Sequence, residues 1–324
     1  MRTIPFTDLR VSPISFGTGG IGSSINNDLS RELLDTYIEL GGNLIDTAHS
    51  YGDWVPGERS VSEKTIGRWM KDRGFRHKII ISTKGCDPII GGDPRPTRFI
   101  REELLSDLDD SLKFLQTDYI DFYWIHKDEP EKSFGEVLDT LSEEQKKGKI
   151  RFYGCSNWSV ERMRAAEKYC AGKKINPFIG DQVFWNAGVL VDRPFHSDTT
   201  GFVDAERYAY HKGNGTVIFA YQAQAFGYFN RLFNGTLDEM NAGFKSFYVE
   251  NDMLKRFSRM QTIMLQNDLT ITQVVLGYLI GQEVATVPIV GCRNKDQILD
   301  SMTALNVALT AEQIKFIEGD KYSS

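Results

Sequence analysis

Short apolar runs recur along this chain with room for one helix after each, and that alternation constrains the fold more than any other feature. The runs cover residues 14–19, 43–48, 78–84, 119–126, 150–157, 178–185, 216–221 and 286–291. Each is bounded by turn residues, the pattern of parallel strands covered on both faces. Helical patterns follow them at 29–40, 60–71, 97–115, 133–147, 159–171, 204–212, 270–282 and 294–305. The first places Leu33, Leu34, Tyr37 and Ile38 on one face and stops at Gly41-Gly42. Ser62, Thr97, Ser133 and Ser159 stand near helix starts as expected caps. Eight strands, each followed by a helix, predict an α/β fold, the (β/α)8 TIM barrel. No linker interrupts residues 1–324, so a single barrel domain is expected. The surplus length falls at 186–200, after the sixth strand, and at 222–256, after the seventh. Both read as long loops at the C-terminal mouth, where barrel enzymes bind substrate.

Charge and cysteine usage narrow the function. A formal charge of −6 without a basic run argues against nucleic-acid binding. No apolar stretch approaches the roughly 18 residues of a membrane span. Residues 1–10 lack the apolar segment and cleavage site of a secretory signal. Cys86, Cys155, Cys170 and Cys292 form no CxxC pair, so neither zinc nor a disulfide framework is signalled. They read as small buried hydrophobes in a reducing cytoplasm. Gly17-Thr-Gly-Gly-Ile-Gly22 fits G-x-G-x-x-G, but Ser23 to Asp28 separate its last glycine from the helix. A glycine-rich barrel loop, with backbone close to cofactor or substrate, is expected instead of a dinucleotide fingerprint.

The stretch Asn43-Leu-Ile-Asp-Thr-Ala-His-Ser-Tyr-Gly52 begins as a buried strand and ends as a polar turn. It carries Asp46 and Tyr51, a carboxylate and a phenol that burial would penalise without partners. Two readings stand: active-site material, or a strand followed by a helix cap at Thr47 or Ser50. Other strand ends carry Lys84, His126, Ser156 with Asn157, Gln182, Tyr221 and Gly291. A phenol, a lysine, a carboxylate and an imidazole at one mouth form a proton-transfer set. A free tyrosine, with a pKa near 10, is a poor acid at neutrality, and a nearby ammonium is expected to lower that value.

These motifs resemble the aldo-keto reductases, in a bacterial-type member, from about Leu9 to Gly319. The resemblance rests on the 43–52 stretch, Ser82-Thr-Lys84, Ile125-His126, Gly154-Cys-Ser-Asn-Trp158, Gln182 and Pro288-Ile-Val-Gly291. It implies reduction of an aldehyde or ketone to the alcohol by hydride transfer from NAD(P)H. Tyr51 would donate the proton, Lys84 paired with Asp46 would tune it, and His126 would orient the carbonyl. Gly19, Ser156, Asn157, Gln182, Tyr221, Gln222, Gly291, Arg293, Gln297 and Ser301 match cofactor positions, and Trp54 matches a substrate-facing aromatic; Trp124 is expected at the substrate as part of an aromatic mouth. Trp185, Phe226, Tyr228 and Phe229 are further aromatics of the mouth or of the core.

Three positions depart from the family pattern. Gln222-Ala223-Gln224 replaces a Ser-Pro-Leu whose serine grips pyrophosphate. Ser301 stands for an adenine-contacting Asn, and Gln297 for an Arg of NADP-selective members. Arg293 and Lys295 suit a 2′-phosphate, or are loop-surface charges; NADP(H) is the expected cofactor. Sugar, small aliphatic and aromatic carbonyls all remain open as the small-molecule substrate. The rival reading is a regulatory or non-catalytic NADPH-binding barrel acting through a protein partner, as in potassium-channel β-subunits.

Overall fold

The computed structural model describes residues 1–87, 98–192 and 201–319. A short antiparallel hairpin opens the chain, β1 (Arg2–Thr3) and β2 (Arg10–Val11). Then follow β3 (Ser15–Gly17), α1 (Asn27–Glu39), β4 (Leu44–Asp46), α2 (Val61–Arg73), β5 (Ile80–Gly85) and α3 (Arg101–Leu115). The middle holds β6 (Ile120–Ile125), α4 (Gly135–Lys146), β7 (Ile150–Ser156), α5 (Val160–Lys173), β8 (Gly180–Phe184), α6 (Ala205–Asn214) and β9 (Val217–Tyr221). The last part holds α7 (Tyr228–Asn234), α8 (Ala242–Lys245), α9 (Glu250–Asn267), α10 (Ile271–Ile280), β10 (Thr286–Val290), α11 (Lys295–Met302) and α12 (Ala311–Glu318). Strands β3 to β10 pair in parallel, each with the next, and β10 closes on β3: a (β/α)8 barrel.

Side-chain parity decides what this barrel does. Along a strand, alternate residues face opposite sides. Leu44, Ile80, Phe122, Trp124, Val217, Phe219, Val287 and Ile289 share one buried cluster, the barrel interior. Ile45, Ile81, Tyr123 and Ile125 belong to the other cluster, under the helices. Two residues beyond an inward position is again inward. Asp46 follows Leu44, Lys84 follows Ile80 and Ser82, His126 follows Trp124, and Tyr221 follows Phe219. The mouth is therefore the last layer of the same inward rows.

At the opposite end the hairpin plugs the barrel, with Ile4, Leu9 and Val11 packed into the interior cluster. Arg2 ties it down, donating to the carbonyls of Thr286 at 2.7 Å and Ile280 at 3.1 Å.

The helix starts follow capping chemistry, though partly at other residues than expected. Asn26, Ser159, Asp204, Asn294, Thr270 and Thr310 accept from first-turn backbone N–H groups. Ser62 instead lies inside α2, Ser133 precedes the cap of α4, and Thr97 lies outside the described residues. The region 222–256, expected as a loop, contains α7, α8 and the first turns of α9. α9 hides its periodicity because its buried face is Met253, Arg256, Met260 and Ile263, with a guanidinium among the apolar groups. Arg256 Nη1 donates to the Ala187 carbonyl at 2.6 Å, which joins α9 to the loop after β8. The described part of 186–200 also pairs with this insertion, Val191 N donating to Phe247 O at 2.9 Å. No single helix among the described residues is long and apolar enough to cross a membrane; α9 and α10 pass that test only as a pair bent by 100°.

Candidate active site

Lys84 closes the inward row of β5, and its ammonium is the hub of the mouth. Nζ donates to Asp46 Oδ2 at 2.7 Å, to the Thr47 carbonyl at 2.6 Å and to Tyr51 Oη at 3.3 Å. Three donors meet three acceptors. Asp46 is matched as fully, its Oδ1 accepting from Ser82 Oγ at 2.7 Å and Gln182 Nε2 at 2.9 Å. The two charged side chains are 1% and 3% exposed, a burial that ion pairs tolerate when such bonds satisfy their other groups.

The turn after β4 brings Tyr51 back over this pair. Gly52 makes it possible: it sits at φ +96°, and a Cβ there would come within 2.4 Å of Val61. The helix-cap reading of Thr47 and Ser50 is corrected. Thr47 Oγ1 shares a hydrogen bond with Ser62 Oγ at 3.0 Å, Ser50 Oγ donates to Asp87 Oδ2 at 2.7 Å, and α2 starts only at Val61.

Burial pushes the Tyr51 phenol up; the Lys84 charge pulls it down, and Asp46 adds to the rise. The ammonium lowers the phenol as expected, but burial outweighs it and the net shift is upward. Tyr51 is thus a protonated phenol at neutrality, the form a proton donor needs. Burial alone would lower the Lys84 pKa, but Asp46 and Tyr51 outweigh it and raise it. His126 meets the Tyr51 ring edge-on at 5.9 Å. Burial lowers its imidazole to about 4, with Asp87 opposing, so the ring is neutral at pH 7.

The residues matched to the cofactor lie along the same mouth, and several bond to one another. Asn157 Nδ2 donates to Ser156 Oγ at 3.0 Å, Ser156 Oγ to the Gln182 carbonyl at 2.7 Å, and Tyr221 Oη to Asn157 Oδ1 at 2.8 Å. With the Gln182–Asp46 bond, they connect the rim to the catalytic candidates. A Cβ on Gly291 would meet nothing within 4 Å, and one on Gly19 only the Tyr51 ring at 4.0 Å. Both leave open space beside the mouth, and Arg293 is exposed with no ion pair among the described residues. Open backbone next to an unpaired cation fits a phosphate-bearing dinucleotide. Gln222 is exposed at φ +55°, its carbonyl accepting from Asn186 Nδ2 at 3.2 Å. Gln297 is exposed, its Oε1 accepting the Arg293 N–H at 2.7 Å. Ser301 is buried and accepts from Gln224 Nε2 at 3.2 Å, tying α11 to the loop after β9.

The aromatics divide. Trp54 is 46% exposed, with its ring 6.5 Å from that of Tyr51. Phe226 is partly buried and stacks on Phe244 at 4.3 Å. Trp124 is corrected from substrate-facing to structural: it is wholly buried under the site, 4.8 Å from the Phe219 ring, with Nε1 donating to Ser82 Oγ at 2.8 Å. Gly154 explains its fit, since a Cβ there would come within 2.3 Å of the indole. Trp185, Tyr228 and Phe229 are core. Sequence reasoning gave no role to Ser82 or Asp87. Ser82 was within reach, lying two residues before Lys84 on the same face; Asp87 follows the strand, where no period applies.

The comparisons agree with this geometry. The E. coli (strain K12) protein tas is 27% identical over 97% of this chain and 95% of its own length. The aldo-keto reductase ausK of Emericella nidulans is 27% identical over 97% of this chain and 79% of its own. The aryl-alcohol dehydrogenase [NADP(+)] of Phanerodontia chrysosporium shares 27% over 97% and 83%. Residues 13–319 match the aldo/keto reductase family, which spans the whole barrel and every strand end described above. The chain is a member of the aldo/keto reductase family.

Proposed function

We propose that this protein interconverts a small carbonyl compound and its alcohol with NADP(H), and that Tyr51 moves the proton. The observation that carries the reading is the Lys84 ammonium, shared between Asp46 and the Tyr51 hydroxyl. When bound at this mouth, the nicotinamide would supply or accept the hydride. Tyr51 would give its phenolic proton to the carbonyl oxygen. The phenolate left behind faces Lys84, which stabilises it and is held charged by Asp46. Ser156, Asn157 and Gln182 would hold the carboxamide, with Tyr221 against the ring; Arg293 would take the 2′-phosphate. The cofactor named for the Phanerodontia relative supports NADP(H) here.

An aromatic carbonyl is the substrate class we favour. Trp54 stands open beside Tyr51, and a row of rings runs outward from Tyr221 through Phe184 to Phe226 and Phe244. The aryl-alcohol name of the same relative points the same way. A cytoplasmic setting suits four cysteines that are all buried free thiols.

The test is NADPH oxidation with a panel of aryl aldehydes, aliphatic aldehydes and sugars. Aryl aldehydes are expected to give the highest kcat/KM. Tight NADPH binding without turnover on any carbonyl overturns the reading in favour of a barrel that acts through a protein partner.

A further inference from the structure

Ser62, in the first turn of α2, holds several segments of the mouth at once. Its backbone N–H, which a helix start leaves without an intrahelical partner, donates to the Tyr51 carbonyl at 3.1 Å. Its hydroxyl is wholly buried, as are those of Thr18 and Thr47. The three form a chain with one direction. Thr18 Oγ1 donates to the Asp46 carbonyl at 2.8 Å, which commits its proton. Ser62 Oγ therefore donates to Thr18, whose carbonyl lies at 3.0 Å and Oγ1 at 2.9 Å. That commits the Ser62 proton in turn, so Thr47 Oγ1, 3.0 Å away, is the donor to Ser62.

We propose that Ser62 is a positioning residue for Tyr51: it fixes the Thr47 carbonyl and the Tyr51 turn, the two acceptors between which Lys84 Nζ is shared beside Asp46. Lys84 Nζ donates to the Thr47 carbonyl at 2.6 Å and to Tyr51 Oη at 3.3 Å. The first bond is close, and the second lies just past the usual range for an N–H donor. A small movement of the turn thus changes how much of the ammonium the phenol feels. The titratable groups that face the phenol are Lys84, Asp46, Asp87, His126 and Tyr221. Lys84 lowers its pKa, while Asp46 and Asp87 raise it. Loosening the Lys84 contact leaves the two carboxylates unopposed, and the phenol moves further up. This deepens the reading of Tyr51 as the proton donor and rests on it.

The test is Ser62→Ala, read first without turnover. The protein, with tyrosine ¹³C-labelled at Cζ, is titrated by NMR from about pH 8 to 11. Tyr51→Phe identifies the signal among the thirteen tyrosines. Ser62→Ala should move the midpoint up by about half a unit or more. Thr47→Val removes only the donor to Ser62 and should do the same; it decides the question if Ser62→Ala does not fold. Ser62→Thr keeps the hydroxyl and should stay near the wild-type midpoint. In turnover, the basic limb of alcohol oxidation should move with the midpoint. The kcat for carbonyl reduction should fall by about 3- to 10-fold, with the dissociation constant for NADPH within about twofold. A merely structural Ser62 lowers the melting temperature and leaves the Tyr51 midpoint in place. That result, or an unmoved midpoint in Thr47→Val, overturns the proposal. The two readings fail separately. A midpoint that moves in a protein that reduces no carbonyl sinks the reductase reading alone; reduction with an unmoved midpoint sinks Ser62 alone.

Discussion

Lys84 Nζ and Asp46 Oδ2 lie 2.7 Å apart, in the top layer of a barrel whose next layer down is Trp124 and Phe219. A charge pair so placed depends on both partners. Asp46→Asn removes the counter-charge and leaves the ammonium buried, which is expected to cost about 3–5 kcal/mol of stability. Burial would then lower the Lys84 pKa unopposed by Asp46. Urea unfolding measures the first effect, and a lower kcat follows from the second. An unchanged midpoint would mean that the Thr47 carbonyl and Tyr51 suffice to hold the charge.

Tyr51→Phe removes the proton donor and keeps the ring. Carbonyl reduction should fall by at least about 100-fold, while the dissociation constant for NADPH stays within about twofold. Near-normal turnover would sink Tyr51 as the acid.

Arg293 tests the choice of cofactor. Arg293→Ala should raise the dissociation constant for NADPH by about tenfold and change that for NADH little. Equal weakening of both would take Arg293 out of 2′-phosphate recognition.

Glu63 links stability to pH. It is wholly buried on α2, where Thr83 Oγ1 donates to it at 2.6 Å, and burial pushes its carboxyl up to about 8. A folded pKa above the unfolded value means that the folded state binds the proton more tightly. Stability is therefore full below about 4.5 and is lost as pH rises from there to about 8, on the order of 5 kcal/mol in all. Glu63→Gln should flatten that decline in a series of urea melts between pH 5 and 8. An unaltered slope would show that Glu63 is ionised in the folded protein.

Gly154→Ala tests the floor of the site. The added methyl must displace the Trp124 indole, which is buried on all sides, and a loss of about 1–3 kcal/mol is expected. The indole also donates to Ser82, so kcat should fall with the melting temperature. Unchanged stability would mean that Trp124 has room to move.

Much of this architecture was legible because parallel strands buried on both faces leave continuous apolar runs, as at Ile120–Ile125. The mouth was legible as a set of strand ends, and parity explains why it forms: with Leu44 and Ile80 facing inward, so do Asp46 and Lys84. The hairpin that plugs the floor was not legible, because two-residue strands such as Arg2–Thr3 carry no period. Trp124 misled for a related reason. Its place near the end of a strand is shared with residues that reach the mouth, and only depth separates it from His126. Asp87 left no trace because its role depends on two partners, Ser50 and His126, that are distant in sequence.

The hydrogen bond from Gln182 to Asp46 has a thermodynamic consequence. The rim residues Asn157 and Ser156 and the buried ion pair are successive parts of one network, so they do not respond independently. A ligand that changes how Gln182 is held changes the field at Asp46, and through Lys84 the ease with which Tyr51 releases its proton. Reciprocity then requires the converse: the protonation state of Tyr51 must alter the affinity of that ligand by the same factor. Loading the pocket and priming its acid become two readings of a single coupling free energy.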